Sequence, residues 1–162
     1  RIERALAYGA AAVEQTRAAG LSLSAMPQSK FDERRHAEAG DALVAFFVIL
    51  AKKLFPKATE AQTAQRVELM LAAYFLRGDL EKKKLAAPAE AKAKKAVESV
   101  ATLSGAALEQ RMTAEVGDSV LAFLNAFSIK VTQARDDATR AGNVHLMLLA
   151  YLVRGALSAV RA

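Results

Sequence analysis

The chain has 162 residues, 53% of them hydrophobic, with three prolines and neither cysteine nor tryptophan. This length can bury a core, and the absence of cysteine excludes disulfides, cysteine-ligated zinc and a thiol nucleophile. The net charge of +6 suits an anionic partner. Basic stripes with interleaved aromatic residues are absent, so we do not expect nucleic acid to be that partner.

Hydrophobic periodicity and an alanine- and leucine-rich composition predict an all-α bundle of about six helices. Gly20, Pro56 and Gly105 supply breaks, and a loop is expected over residues 21–30, which contain serine and proline. Residues 85–96 are rich in helix formers and are expected to be helical rather than a flexible tether. The predicted helices span residues 1–19, 32–55, 59–84, 89–103, 107–132 and 137–161.

The chain also contains an internal repeat. Residues 34–80 align without a gap on residues 111–157, with 19 identities in 47 pairs. The identities cluster in two blocks, R-x-x-A-E-x-G-D-x-x-x-A-F and V-x-L-M-L-x-A-Y-x-x-R-G-x-L. This duplication predicts two three-helix units, residues 1–84 and 85–162, that pack as one bundle about a pseudo-twofold axis.

Two apolar runs, residues 42–51 and 144–153, are shorter than the roughly 18 residues typical of a membrane span. Each run is closed by charge, at Lys52 and at Arg154. We therefore expect both to be helices that are buried in a protein core.

The first block places acidic residues at i and i+3, as Glu38 with Asp41 and Glu115 with Asp118. Carboxylates on one helical face can hold Mg²⁺, and the surrounding residues resemble the E-x-x-D half of MazG-type nucleotide pyrophosphohydrolases. That resemblance implies a magnesium site at these four residues. The alternative, which we favour, is an acidic first helical turn that the helix dipole stabilises.

Gly40 and Gly117 lie between these carboxylates, inside the predicted helices. Glycine costs roughly 1 kcal/mol relative to alanine in a helix interior. Its presence in both copies predicts a close approach between helices.

The second block places Tyr74 with Arg77, and Tyr151 with Arg154, at i and i+3. The guanidinium groups are expected to stack on the rings or to form buried ion pairs, for example between Arg77 and Asp41 or Asp118. The functional alternative for these arginines is contact with an anion or a partner. His36 and His145 occupy different positions in the two copies and are expected at the surface or the core edge.

The densest positive charge lies between the two copies and is the best docking candidate. It consists of Lys82, Lys83, Lys84, Lys92, Lys94 and Lys95.

The stretch Y-F-L-R-G-D-L, followed by a lysine- and alanine-rich joint and another helix, resembles the PsbQ family of extrinsic photosystem II proteins. The resemblance covers residues 32–131, and Arg77 and Asp79 are its motif positions. It implies a cleaved transit peptide, a thylakoid-lumen location and a non-catalytic docking role. The first residue, Arg1, agrees with such cleavage, although an artificial boundary would give the same start.

We therefore expect a non-enzymatic accessory subunit of an organellar, membrane-associated complex, without cofactor or catalytic residues. Its partners would be protein subunits, or a membrane surface, contacted through the six lysines, Arg77, Asp79 and Arg154. A mitochondrial ATP synthase or respiratory complex is the alternative assembly. A magnesium-dependent nucleotide hydrolase that uses Glu38, Asp41, Glu115 and Asp118 is the alternative class.

Overall fold

The structure is a computed structural model that describes residues 2–159, with side chains from residue 13 onward. Over this range the chain forms eight α-helices and one π-helical segment without a strand, which confirms the all-α prediction. The elements are α1 Ile2–Ser24, α2 Gln28–Arg34, the π-helical segment Arg35–Ala39, α3 Gly40–Leu54, α4 Glu60–Glu81, α5 Glu90–Ala101, α6 Gly105–Glu115, α7 Asp118–Thr132 and α8 Asp137–Ala159.

The predicted loop over residues 21–30 is wrong, because α1 continues to Ser24 and α2 begins at Gln28. Gly20 is not a helix stop. It is buried against α7, where an added Cβ would lie 2.4 Å from the Phe123 ring. A predicted start at Arg1 and a predicted end at Arg161 lie outside the described residues.

Each of the two helices that carry the first block is interrupted at its glycine, contrary to the prediction of continuous helices. Gly40 has φ +78° and ψ 164°, a conformation that is essentially restricted to glycine. An added Cβ there would lie 2.8 Å from the Ala87 Cβ. Gly117 has φ −84° and no atom within 4 Å of such a Cβ. Of these two glycines, only Gly40 makes a close approach, and the approach is to a non-helical segment.

The connection between α4 and α5 is also not the helix that was predicted. Lys82 adopts the left-handed conformation (φ 54°) and ends α4, and helix resumes only at Glu90. The Ala87 N–H donates to the Ala37 carbonyl at 2.9 Å, which holds the extended connection beside the π-helical segment. The tight contact at Gly40 therefore fixes the path of the connection.

The substitution Gly40→Ala is expected to lower the free energy of unfolding by about 2 kcal/mol, because the backbone conformation disfavours a side chain and the Cβ would collide with Ala87. Gly117→Ala is the matched control at the equivalent repeat position, where neither obstacle exists, and should cost less than about 1 kcal/mol. Urea denaturation followed by circular dichroism compares the two. Equal losses would contradict the distinction between the glycines.

The core is centred on α4 and α8, whose apolar residues are buried on almost every side. Contacts between the two helices occur in the same residue order, with Arg66 against Asn143 and Arg77 against Tyr151. The helices therefore run in the same direction. Their first residues, Glu60 and Asp137, are 77 positions apart, as the repeat predicts. Superposition of the two halves stays a prediction.

The two sequence halves are interleaved in the bundle. Helix α1 packs against α7 and α4, while α5 packs against α3 and α8. The first helix of each half thus covers elements of the other half. In the described part of the chain, no helix combines the length and the apolar character that crossing a membrane requires.

Candidate interaction site

The Y-x-x-R-G blocks meet where α4 and α8 pack together. The Arg77 Cζ lies 4.7 Å from the centroid of the Tyr151 ring, and the Arg154 Cζ lies 5.7 Å from that of Tyr74. The predicted stacking at i and i+3 is therefore wrong, because each arginine lies over the tyrosine of the other copy. Within one helix, Tyr and Arg at i and i+3 do not pair in this way.

The glycine of each block makes room for the arginine of the other. A Cβ at Gly155 would lie 2.3 Å from the Arg77 Cζ, and a Cβ at Gly78 would lie 3.0 Å from the Arg154 Nη2. The repeated Y-x-x-R-G sequence thus encodes one reciprocal contact between the copies. We call these six residues the arginine clasp: Tyr74, Arg77, Gly78, Tyr151, Arg154 and Gly155.

Ion pairs hold the two clasp arginines in place. Arg77 donates to Glu81 at 3.1 Å and to Glu115 at 2.9 Å, and Arg154 donates to Glu81 at 3.2 Å. Glu81 therefore bridges both arginines. The predicted partners of Arg77, Asp41 and Asp118, are wrong, since both aspartates are exposed outside these ion pairs.

A third arginine is held in the same region of the bundle. Arg34 donates to Glu38 at 2.6 Å and to Asp79 at 3.0 Å. Burial acts to lower the pKa of Arg34, but the two carboxylates outweigh that effect and raise it. Asp79, a predicted interaction residue, is therefore already occupied by a charge of the chain itself.

The residue of the second copy that is equivalent to Glu38 is Glu115, which accepts hydrogen bonds from Arg111 and Arg77. Burial acts to raise the pKa of Glu115, but the two guanidinium groups outweigh it and lower the pKa. Glu115 is thus a stable carboxylate that neutralises two arginines.

The alternative prediction of a magnesium site at four carboxylates is not supported by this arrangement. Helix breaks separate Glu38 from Asp41 and Glu115 from Asp118, so neither pair shares a helical face. Glu38 and Glu115 already form ion pairs with arginines. No cluster of three or more metal-ligating side chains occurs among the residues whose side chains are described.

Two predicted docking residues are interior. Arg154 is 1% exposed and the Arg77 side chain is 13% exposed, because both are enclosed by the clasp. Burial also raises the pKa of Tyr74 to about 12 and raises that of Tyr151. These residues therefore serve contact between the copies and are not available to a partner.

The six predicted lysines are all exposed, and we call them the lysine surface: Lys82, Lys83, Lys84, Lys92, Lys94 and Lys95. The first three line a cleft of about 530 Å³ together with Arg34, Glu38, Gly78 and Asp79. The backbone here is anchored, since the Lys83 N–H donates to the Gly78 carbonyl at 3.3 Å and its carbonyl accepts from Arg154 at 2.7 Å.

The other three lysines are exposed positions of α5, which buries a different face against α3 and α8. The buried positions are Ala93, Ala96, Val97 and Val100. Of the two histidines, His36 is exposed and His145 is half-buried.

Sequence reasoning missed Glu81 and Arg66. Glu81 lies four residues after Arg77, a spacing at which ion pairs form on a helix, and this signal could have identified it. The repeat concealed it, because the equivalent residue of the second copy is Ser158. Arg66 is likewise replaced by its repeat equivalent, Asn143, with which it forms a hydrogen bond.

In comparisons with known proteins, the chain matches no protein-family model, no curated protein and no solved structure.

Proposed function

We propose that the chain is a non-catalytic helical accessory subunit that docks on an acidic protein surface of a larger assembly through the lysine surface. One observation carries the proposal. Four arginines and four carboxylates neutralise one another around the clasp, whereas the six lysines have no carboxylate within 4.0 Å among the described side chains. The paired residues are Arg34, Arg77, Arg111, Arg154, Glu38, Asp79, Glu81 and Glu115.

The geometry of the lysine surface supports a protein partner. Lys82, Lys83 and Lys84 protrude from a backbone that is tied to Gly78 and Arg154, so their stems start from fixed positions. Their cleft is concave and also contains the carboxylates of Glu38 and Asp79. A concave surface of mixed charge suits a shaped acidic segment of a protein better than a flat anionic membrane. Exposed charges of this kind guide association more than they add affinity.

The environment of the acidic residues also favours an interaction role over a nucleotide hydrolase. A nucleotide hydrolase would need its carboxylates free and gathered around a metal ion. In this chain Glu38 and Glu115 are instead bound to arginines, and Asp41 and Asp118 lie beyond helix breaks. This arrangement stabilises the bundle, and it leaves interaction rather than hydrolysis as the proposed activity.

The triple variant K82Q/K83Q/K84Q is expected to bind a fluorescent poly-glutamate peptide about tenfold more weakly than the wild type, since each exposed ion pair contributes about 0.5 kcal/mol. Binding should also weaken as salt is added. Fluorescence anisotropy at low and high salt measures both effects.

The matched control is K52Q/K53Q/K57Q, which removes the same charge from three other exposed lysines. It should retain most of the affinity. An equal loss in both triple variants would show that net charge alone attracts the peptide, and the proposed docking surface would then be rejected.

The identity of the assembly is the finer part of the proposal. Photosystem II is favoured by the resemblance over residues 32–131, and a mitochondrial ATP synthase or respiratory complex is the alternative. Saturable binding to salt-washed thylakoid membranes that K82Q/K83Q/K84Q abolishes would support the first. Binding to mitochondrial inner membranes alone would support the second, and binding to neither would contradict both.

A further inference from the structure

Arg66 is a buried arginine that has no counter-ion among residues 13–159, whose side chains the structure describes. It is 9% exposed, and no carboxylate among the side chains described lies within 4.0 Å of it. Its Nε donates to the Asn143 Oδ1 at 2.9 Å, but its Nη1 is buried and has no hydrogen-bond partner within the described part of the chain. A buried charge that lacks a partner is strongly unfavourable. Each of the clasp arginines, in contrast, has a carboxylate.

The surroundings hold the Arg66 guanidinium group in one orientation. Its Cζ lies 3.6 Å from the centroid of the Phe55 ring, which covers one face of the group. Asn143, which is fully buried, occupies one edge. The absence of a side chain at Gly142 leaves room for the Phe55 ring, since an added Cβ would lie 2.5 Å from the Phe55 Cζ. The side chain is therefore positioned, and the edge at Nη1 is left unused.

This end of the bundle combines two helix N-termini with the carboxylates of Glu60 and Asp137 in their first turns. Arg66 and Asn143 lie in the second turns of α4 and α8, which run in the same direction, so both helix N-termini are at this end. Helical side chains point back toward the N-terminus, which directs the guanidinium group into this region. Helix N-termini carry a partial positive charge and attract anions. Burial lowers the pKa of Arg66, consistent with a charge that nothing compensates.

We infer that Arg66 binds an oxyanion, a carboxylate or a phosphate group, supplied by a ligand or partner. The planar guanidinium fork matches the paired oxygens of either group. Phe55 packs on a face of the guanidinium group, so its ring does not occupy the edge at Nη1 that the anion uses. The site lies at the opposite end of α4 from Lys82, Lys83 and Lys84 and is independent of the docking proposed there.

The test measures thermal unfolding in phosphate, in acetate and in sodium chloride at matched ionic strength. The wild-type midpoint is expected to rise by about 3–6 °C at an anion concentration of about ten times Kd, relative to chloride. A rise in phosphate alone assigns a phosphate group, and a rise in acetate alone assigns a carboxylate. The absence of a rise with either anion would overturn the inference.

Arg66→Met removes the charge while keeping an apolar stem. It is expected to abolish the response to the anion, while in chloride the loss of the uncompensated charge opposes the loss of the donor to the Asn143 Oδ1. An Arg66→Met variant that keeps the full response to the anion would overturn the inference. Arg35→Met is the matched control, because Arg35 is exposed and should keep the full response.

A measurement on the unaltered chain covers the case in which Arg66→Met fails to fold. The Nε–Hε resonance of Arg66, assigned in arginine-labelled protein, is expected to shift on addition of the active anion while that of Arg35 does not. An Arg66 resonance that does not move would reject the site whatever the variants do.

Discussion

Replacing Arg154 with alanine is expected to lower the free energy of unfolding by about 3–5 kcal/mol, the largest loss of any substitution considered for this chain. The side chain is 1% exposed, pairs with Glu81 and donates to the Lys83 carbonyl. Its removal leaves a cavity over Tyr74 and deprives the carbonyl of its donor. Urea denaturation followed by circular dichroism measures the loss.

Arg35→Ala is the control for removing a guanidinium group. Arg35 is exposed, and its ion pair with Asp32 is long, at 3.9 Å, so the change should stay within about 0.5 kcal/mol. A loss below about 1 kcal/mol for Arg154→Ala would mean that the clasp contributes little to stability.

The second large effect is expected at a glycine. Gly155→Ala should cost about 3 kcal/mol, because the new Cβ would fall 2.3 Å from the Arg77 Cζ. The flexible end of an arginine side chain can usually move away from such a contact. Arg77 cannot move away without losing its hydrogen bonds to Glu115 and to the Tyr151 carbonyl, and its stacking on the Tyr151 ring. Gly78→Ala should cost less, since its nearest atom is at 3.0 Å.

A double-mutant cycle isolates the cause. In an Arg77→Ala background the obstacle is gone, so Gly155→Ala should then be nearly neutral or stabilising. The predicted coupling is therefore large, and it is measured from the four urea midpoints. Additive losses would show that Gly155 is required for the helix backbone rather than for Arg77.

The helix that was predicted over residues 59–84 is an element that local sequence signals specify almost completely. Thr59 caps it, with the Gln62 N–H donating to the Thr59 Oγ1 at 3.1 Å and the Gln62 side chain accepting from the Thr59 N–H. Capping and apolar density are local properties, and they predict both the start of the helix and its burial. Only its end was misplaced, at Lys84 instead of Glu81.

The helix break at Gly40 could not be predicted in the same way. The flanking residues all favour helix, and the glycine adopts its unusual conformation beside Ala87, 47 positions later in the chain. A contact that is remote in sequence thus decides the local backbone. The same applies to Arg77, whose i and i+3 spacing suggested Tyr74 although the actual ring belongs to the other copy.

The features of the candidate site also divide into those that local sequence predicts and those that tertiary packing decides. Exposure of the lysine surface follows from charge density alone. The burial of Arg154 depends on a tyrosine and a glycine of the other copy, and the unpaired state of the Arg66 Nη1 depends on which of the described side chains pack around it. Such facts belong to the packed bundle and not to any sequence window.

The interleaved arrangement of α1 and α7 has a consequence during synthesis. Thr16 on α1 contacts Ser119 on α7, across 103 positions of sequence. At about 5–20 residues per second, a ribosome needs roughly 5–20 s to make the intervening chain. During that interval α1 has emerged but its partner does not yet exist. The apolar side of α1 must therefore be shielded by α4 or by a chaperone until translation nears its end.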